Sequence, residues 1–557
     1  MCGDIDAFMT WFQSNGGTVD LHAMGITEFP GSGRGAVALC DIPADYTLFS
    51  LPRTLTLSTR TSSLPHLFGL NKWRAHKLHK GWVGLILCLM WEDACAHEQG
   101  NSISEAGLWS PYILSLPETF DTLMFWSEHE LEELRGTSVV DKIGRQDAER
   151  AYHESLVPAI ETAPSLFSPH HLPRWYSLEA YHRAGSRILS RSFTVSRWTS
   201  QDAEEQNDDG NDEAGAHDSE GELEANEPDN ANTSFGSAMD VDELTPAEDH
   251  EDEDEDEDED DPSDIAMVPM ADLLNARWGG ENAKLFHEPK ILRMVSTKSI
   301  KKGEQIFNTY GDLPNGDLLR RYGHVDLVPL NADTNAARTA GVDSHINGAI
   351  ATPGNPSDVV EIKANLVVEA VRARWETKGN GERDIAERIE WWLDEGGDDI
   401  FVIPHPNLQI GISYELPREL ISFTRLLLPS TDFESVLKKG KLSKSKQPDA
   451  EVLGVLEEVL RTREAMYAGG TVEEDEQLLS SSSASFTTRR RHATVVRVGE
   501  KRVLRIARDC VKLLFEALQK NENRAGKKDR QNGSSDGGGM KRGAGTAEPG
   551  RAKKARQ

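Results

Sequence analysis

Asp272 and Asn275, three residues apart in Met270-Ala-Asp-Leu-Leu-Asn-Ala276, put a carboxylate and an amide on one side of a predicted helical turn, next to the apolar Leu273 and Leu274. Such a pair can hold a cationic or amino-acid-like ligand, or it can simply cap a helix start. Two tyrosines follow. Tyr310 lies in Asn308-Thr-Tyr-Gly-Asp312, and Tyr322 in Tyr322-Gly-His324, beyond a short predicted helix from Asp317 to Arg321. A buried tyrosine can be catalytic, or it can be a core residue whose hydroxyl is satisfied, the commoner case. Upstream, Gly31-Ser-Gly-Arg-Gly-Ala36 fits the loose glycine pattern of dinucleotide sites. That pattern should follow a strand and open a helix, whereas here an apolar run leads into Pro43. The glycines therefore read as a tight turn or as a place where backbone approaches a ligand.

The elements that must position these residues are short strands and helices. Ala36–Cys40 and Tyr46–Leu51, joined across Asp41–Asp45, predict one hairpin. Leu292–Thr297 and Glu304–Thr309, joined across Lys301-Lys-Gly303, predict a second. Trp82–Trp91 is apolar nearly all round and predicts a helix inside a domain. Between Ser127 and Ser196, prolines at 158, 164, 169 and 173 divide amphipathic text into several short helices. From about Asp333 the pattern becomes long and helical, over Pro356–Thr377, Glu382–Leu393, Leu416–Leu427, Ala450–Tyr467 and Ala493–Lys520. This predicts a second, all-helical domain.

Charge is distributed unevenly along the 557 residues. The formal net charge is −32, yet Gln201–Asp264 alone holds 30 Asp and Glu and no Lys or Arg. That stretch cannot bury enough apolar surface to offset its ordering entropy, so it is expected to be a disordered loop within one domain. Asn521–Gln557 is rich in Gly, Lys and Arg and is expected to be a flexible basic tail. No uninterrupted run of about 18 apolar residues occurs, so no membrane span is expected. Met1–Asp6 is acidic, unlike a secretory signal. The five cysteines form no C-x-x-C pair, which excludes the usual zinc cluster and points to a reducing compartment without a disulfide framework. No oligomerisation heptad is visible, so a monomer is expected.

Taken in order, Gly33-Arg-Gly35, Asp272-Leu-Leu-Asn275, Gly303-Glu304 leading into Asn308-Thr-Tyr310-Gly, and Tyr322-Gly closely resemble the SET-domain protein-lysine methyltransferases. More narrowly they resemble the Rubisco large-subunit methyltransferase class. Trp109-Ser-Pro-Tyr112, Leu116-Pro117, Phe125–Leu131 and Leu134-Arg-Gly-Thr137 resemble the text of that class's helical insertion, and Arg490–Leu504 a segment of its C-terminal helical domain. The resemblance covers about Phe8 to Lys520 without the acidic insert. Within the class it leans toward the branch of fungal ribosomal lysine methyltransferases and their animal counterparts. One departure is Ala276, where many SET proteins have His after the Asn, so any His side-chain role is absent.

The resemblance implies an α+β fold. A β-rich SET domain over residues 8–332 would carry a helical insertion at about 70–190 and the acidic insert at 201–264; a helical substrate-binding domain over 333–520 and the tail from 521 would follow. It implies S-adenosylmethionine as methyl donor, a lysine ε-amine as acceptor and no metal. Tyr310 would be catalytic. Gly33, Arg34, Gly35, Asn275 and Tyr322 would bind cofactor, and Arg191, Ser192 and Asp272 would contact cofactor or substrate, with Asp272 orienting the arginine. The expected partner is a basic protein, foremost a large-subunit ribosomal protein, then a histone or transcription factor, with no sequence-specific nucleic-acid binding. An inactive SET-like scaffold or acidic chaperone for basic proteins stands as the alternative. Basic clusters in the tail, including Arg551–Arg556, suggest nuclear import, with a nonspecific RNA-binding tail as the alternative, so a nuclear location is expected first and a cytoplasmic one second.

Overall fold

A computed structural model describes residues 2–29, 31–97, 108–196, 263–329, 353–375, 381–405, 416–441, 448–481 and 486–532. Nearly all of the acidic stretch, and the tail beyond 532, lie outside the described residues. Two compact units are found. One comprises Met1–Lys363, Ile400–Tyr414 and Thr462–Ile506; the other comprises Ala364–Asp399, Glu415–Arg461 and Ala507–Gln557.

The first unit holds the described strands: β1 (Thr18–Val19), β2 (Met24–Phe29), β3 (Gly33–Ala38), β4 (Thr47–Pro52), β5 (Ser192–Ser196), β6 (Ser263–Met267), β7 (Ala283–His287), β8 (Ile291–Ser296), β9 (Gln305–Ile306), β10 (Val328–Pro329), β11 (Pro353–Gly354), β12 (Val359–Lys363) and β13 (Ile400–Pro404). They form a four-stranded sheet β1-β4-β8-β7, a three-stranded sheet β2-β3-β9 and the ribbons β5-β6, β10-β11 and β12-β13, all antiparallel.

The two expected hairpins exchange partners. β3 pairs with β2 and β9, while β4 pairs with β1 and β8. The two connecting turns meet instead, through an antiparallel bridge between Ile42 and Ile300. Neither connection is the two-residue type that locks neighbouring strands together, so a local pattern could identify the strands but not their partners. The acidic stretch also ends slightly earlier than expected. Ser263 and Asp264 are strand residues paired with Ser196 and Val195, and Asp264 accepts from the Arg60 guanidinium at 2.6 Å.

The core of this unit joins both sheets to the helical insertion. Leu85, Ile86, Leu87, Cys88, Leu89 and Met90 on the helix Val83–His97 are all buried, as the all-round apolar pattern requires. Phe8, Trp11, Phe12, Trp109 and Tyr112 pack as one aromatic group, with Trp11 and Tyr112 stacked at 6.0 Å.

Among the described residues, the stretch expected to be all-helical from about Asp333 also contains the strands β11, β12 and β13. The helix expected over Pro356–Thr377 begins only at Ala364, because the β-branched alternation of Val359-Val-Glu-Ile-Lys363 pairs with Ile400–Pro404. The last helix runs from Thr488 to Asn532, twelve residues into the expected tail, where Glu, Arg, Ala, Lys and Gln favour continuation.

In the second unit, Arg388 organises the helices. Its guanidinium donates to the carbonyls of Leu426 and Leu428 and lies over the Trp375 and Phe433 rings at about 5 Å, while the Trp375 indole donates to Leu427 O at 2.9 Å.

Candidate active site

A cavity of about 780 Å³ opens in the first unit where β3, the turn at Asp272, the end of the helix Leu178–Arg191 and the segment from Gln305 to Leu327 converge. Its size suits one cofactor-sized ligand.

β3 forms the floor. Gly31 and Gly33 adopt φ of +79° and +67° as the chain turns from β2 into β3, a conformation that favours glycine. Gly35 is glycine for a different reason. A Cβ there would stand 2.6 Å from Asn275 Nδ2 and 2.7 Å from Gln305 Nε2, so two side-chain amides lie directly over bare backbone. Both amide nitrogens are buried and have no hydrogen-bond partner in the structure.

Asn275 reaches this position through a tight turn rather than the helical turn expected from its spacing. Ala271–Leu273 is a single 3₁₀ turn entered through Met270 at φ +74°, and the chain then extends. Asn308 N donates to Asn275 O at 3.0 Å, and Ala276 bridges Asn308 in parallel. The residue after Asn275 thus serves through its backbone, a part that alanine can play.

Asp272 is sealed behind the turn. Its Oδ2 accepts from the Tyr112 hydroxyl at 2.9 Å and lies 3.9 Å from Arg191 Nη1, while Oδ1 has no partner. The guanidinium is held chiefly by the Asp272 backbone, with Nη1 donating to Asp272 O at 2.6 Å. Arg191 Nε is buried and unpartnered. Burial raises the Asp272 carboxyl to about 6, against the opposing pull of Arg191, Tyr112 and Arg34. A carboxyl raised in the folded state binds more protons there than in the unfolded chain between about pH 4 and 6, so its charge costs stability as pH rises through that window. Asp272→Asn should therefore raise the melting temperature at pH 8, by an amount corresponding to roughly 2–3 kcal/mol, with little gain at pH 4. Thermal melts at the two pH values measure this, and equal shifts at both would rule out the ionisation as their source.

Tyr310 and Tyr322 also line the cavity, with their rings stacked at 4.0 Å between centroids and 3° between planes. Tyr322 ends the helix Asn315–Tyr322, and Gly323 terminates it at φ +66° with its α-carbon face against the Asp121 backbone. Burial raises both hydroxyls above the usual tyrosine range, so both stay protonated at neutral pH. Beside them, His324 Nε2 lies 3.0 Å from Asp326 Oδ1, and Asp326 Oδ2 accepts from Trp278 N at 2.8 Å.

Gly33, Arg34, Arg191, Asp272, Asn275, Tyr310 and Tyr322 all line this one cavity, and Gly35 lies beneath Asn275. Ser192 does not line it. The helix stops at Arg191, and Ser192 opens β5 opposite Met267, so Ser190 faces the cavity instead. The sequence reading did not single out Gln305, Asp326, Glu28, Phe120 or Asp121 as site residues, although all line the cavity. No spacing marks them; Gln305 shows only as a polar residue in the expected strand Glu304–Thr309.

Residues 386–504 match the family model described as Rubisco LSMT substrate-binding. Ribosomal lysine N-methyltransferase 4 of Saccharomyces cerevisiae is 28% identical over 330 residues, covering 58% of this chain and 56% of that protein. The N-lysine methyltransferase SETD6 of Homo sapiens is 31% identical over 310 residues, covering 55% and 50%. The chain thus spans only about half to three fifths of the length of these curated relatives. Among solved structures, the SET domain of LSMT bound to lysine and AdoHcy superposes with a TM-score of 0.56 at 18% identity, covering 92% of this chain and 91% of that one. Rubisco LSMT bound to AdoMet gives 0.55 at 17%. The chain thus shares the fold of the LSMT SET-domain structures, carries a segment that matches the Rubisco LSMT substrate-binding model, and is similar to these N-lysine methyltransferases over part of its length.

Proposed function

We propose that this protein is an S-adenosylmethionine-dependent protein-lysine N-methyltransferase whose substrate is a basic protein, foremost a large-subunit ribosomal protein. The observation that carries this reading is one cavity lined by both unsatisfied buried polar groups and a stacked tyrosine pair. Asn275 Nδ2, Gln305 Nε2 and Arg191 Nε are buried donors suited to a carboxylate, and Asp272 Oδ1 is an acceptor suited to an ammonium, which together match an amino-acid end. Phe120, Phe307 and the tyrosines supply apolar faces for a flat ring. When bound, S-adenosylmethionine supplies a methyl group on a positively charged sulfur.

The protein's own part is deprotonation and aim. A lysine ε-amine has a reference pKa of about 10.4 and is mostly protonated in neutral water. Entering a wall that includes aromatic rings, it loses solvation, which disfavours the ammonium, so the amine gives its proton to bulk water before it is enclosed and reaches the site as the neutral nucleophile. The protonated Tyr310 hydroxyl orients the amine lone pair toward the methyl carbon, and such alignment can account for several kcal/mol of the barrier.

Support for the substrate class comes from the yeast relative, which is named for ribosomal lysine methylation. The acidic stretch would draw basic chains at long range, an effect screened by salt. The basic tail would direct the protein to the nucleus by recruiting an import receptor. Purified ribosomal proteins and histones incubated with radiolabelled S-adenosylmethionine test the reading. The expected result is label on a large-subunit ribosomal protein. Absence of label on every basic protein, together with no cofactor binding by calorimetry, would leave the scaffold reading in its place.

A further inference from the structure

A single buried carboxylate, outside the cavity, holds the segment that carries Tyr322. Asp358, 4% exposed, precedes β12 and sits at the N-terminus of the helix Asn315–Tyr322. Its Oδ1 accepts from Asn315 N at 2.8 Å, and its Oδ2 lies 3.4 Å from Asn315 Nδ2. Asn315, 1% exposed, then reaches across its own helix: Oδ1 accepts from Asp326 N at 2.7 Å and Nδ2 donates to Asp326 O at 3.1 Å. Asp326 in turn holds His324 and Trp278 N. The chain of bonds therefore runs from Asp358 through Asn315 to Asp326, a residue of the cavity wall.

Space for this carboxylate is reserved. Asn355 and His405 fix its backbone, with Asp358 N donating to Asn355 O at 3.1 Å and His405 N donating to Asp358 O at 3.0 Å. On the last helix, Gly499 gives it room: a Cβ at that position would stand 2.1 Å from Asp358 Oδ2. A charge at a helix N-terminus stabilises the exposed amides of the first turn, and the effect is larger when buried. Glu500 disfavours ionisation here and Arg502 favours it, while Lys142, Asp317 and Glu361 line the same small cleft.

We propose that Asp358 is a positioning residue: its carboxylate clamps Asn315, and through Asn315 the segment up to Asp326, so that Tyr322 and the His324–Asp326 pair stay in the cavity wall. The clamp is a statement about the wall. It rests on the methyltransferase reading only for the ligand that senses it.

Burial pushes the Asp358 carboxyl up to about 7 while the Asn315 hydrogen bonds pull it back down, so the bonds to Asn315 favour the charged form, and a local opening that releases Asn315 but leaves Asp358 buried should be harder at pH 8 than at pH 6. Two readouts test it in wild type, Asp358→Asn and Asp358→Glu. The first is hydrogen exchange of peptides within 315–327 at pH 8, which needs no ligand. Exchange should be several-fold faster in Asp358→Asn than in wild type, and Asp358→Glu, which keeps the charge, should recover part of the protection. The second is calorimetric affinity for S-adenosylhomocysteine. Wild type should weaken severalfold from pH 8 to pH 6, while Asp358→Asn should be weak and flat across that range. Unchanged exchange in Asp358→Asn, or a pH dependence identical to that of wild type, overturns the clamp. If the wild type binds no S-adenosylhomocysteine but exchange still rises in Asp358→Asn, the methyltransferase reading fails and the clamp stands. Should Asp358→Asn not fold, wild-type exchange decides: once corrected for intrinsic rates and compared with peptides of β12, which report wider opening, protection in 315–327 must fall from pH 8 to pH 6, and its constancy would sink the proposal.

Discussion

Tyr310→Phe is expected to lower kcat for methyl transfer by about a hundredfold or more, while affinity for S-adenosylhomocysteine stays within about threefold of wild type. The two quantities separate because the ring and the hydroxyl do different work. Phenylalanine keeps the ring stacked on Tyr322 at 4.0 Å, so the aromatic wall survives. What is lost is the one polar atom that Tyr310 adds, a hydroxyl kept protonated by burial. An amine held in an apolar wall without a partner to fix its lone pair samples many unproductive directions, and a misplacement of about 1 Å can cost a hundredfold in rate. Single-turnover methyl transfer at saturating cofactor reads the rate, and calorimetry reads the affinity. A loss of binding equal to the loss of rate would assign Tyr310 to the cofactor pocket instead.

Tyr310 was legible in the sequence because Asn308-Thr-Tyr-Gly and Tyr322-Gly recur in order with Gly33-Arg-Gly35 and Asp272-Leu-Leu-Asn275. The order of the motifs carried the information, since each alone has a bland explanation as turn, cap or core. Strands and helices were also legible where the pattern is local. The buried helix Val83–His97 and the helices of the C-terminal stretch follow from apolar periodicity. What the sequence concealed was non-local. The exchange of strand partners between β3, β4, β8 and β9 depends on two turns meeting at Ile42 and Ile300, which no window of sequence contains. For the same reason the site residues left unread are those that other motifs bring in. Gln305 matters because its register opposite Val37 puts it over Gly35, and Asp326 because Asn315 and Trp278 hold it. Ser192 lies beyond the helix end at Arg191, as the first residue of β5, and is not among the residues that line the cavity.

The same non-local packing sets the second large effect. Gly35→Ala is expected to weaken cofactor binding more than about tenfold, with turnover lost at ordinary cofactor concentrations. The added methyl would stand 2.6 Å from Asn275 Nδ2 and 2.7 Å from Gln305 Nε2, so both amides must leave the floor they now cover. Those nitrogens are two of the buried donors that lack a partner, and the added methyl meets them rather than either tyrosine. Backbone strain is not the cause, because Gly35 lies within β3 and its φ is not positive. A double-mutant cycle separates this account from general loss of stability. With both amides already gone, in an Asn275→Ala, Gln305→Ala background, adding Gly35→Ala should cost little more, a coupling on the order of 1–3 kcal/mol. Calorimetric titration of the variants with S-adenosylhomocysteine, beside thermal melts, measures that coupling. Purely additive losses would mean that the methyl disrupts β3 itself rather than displacing Asn275 and Gln305.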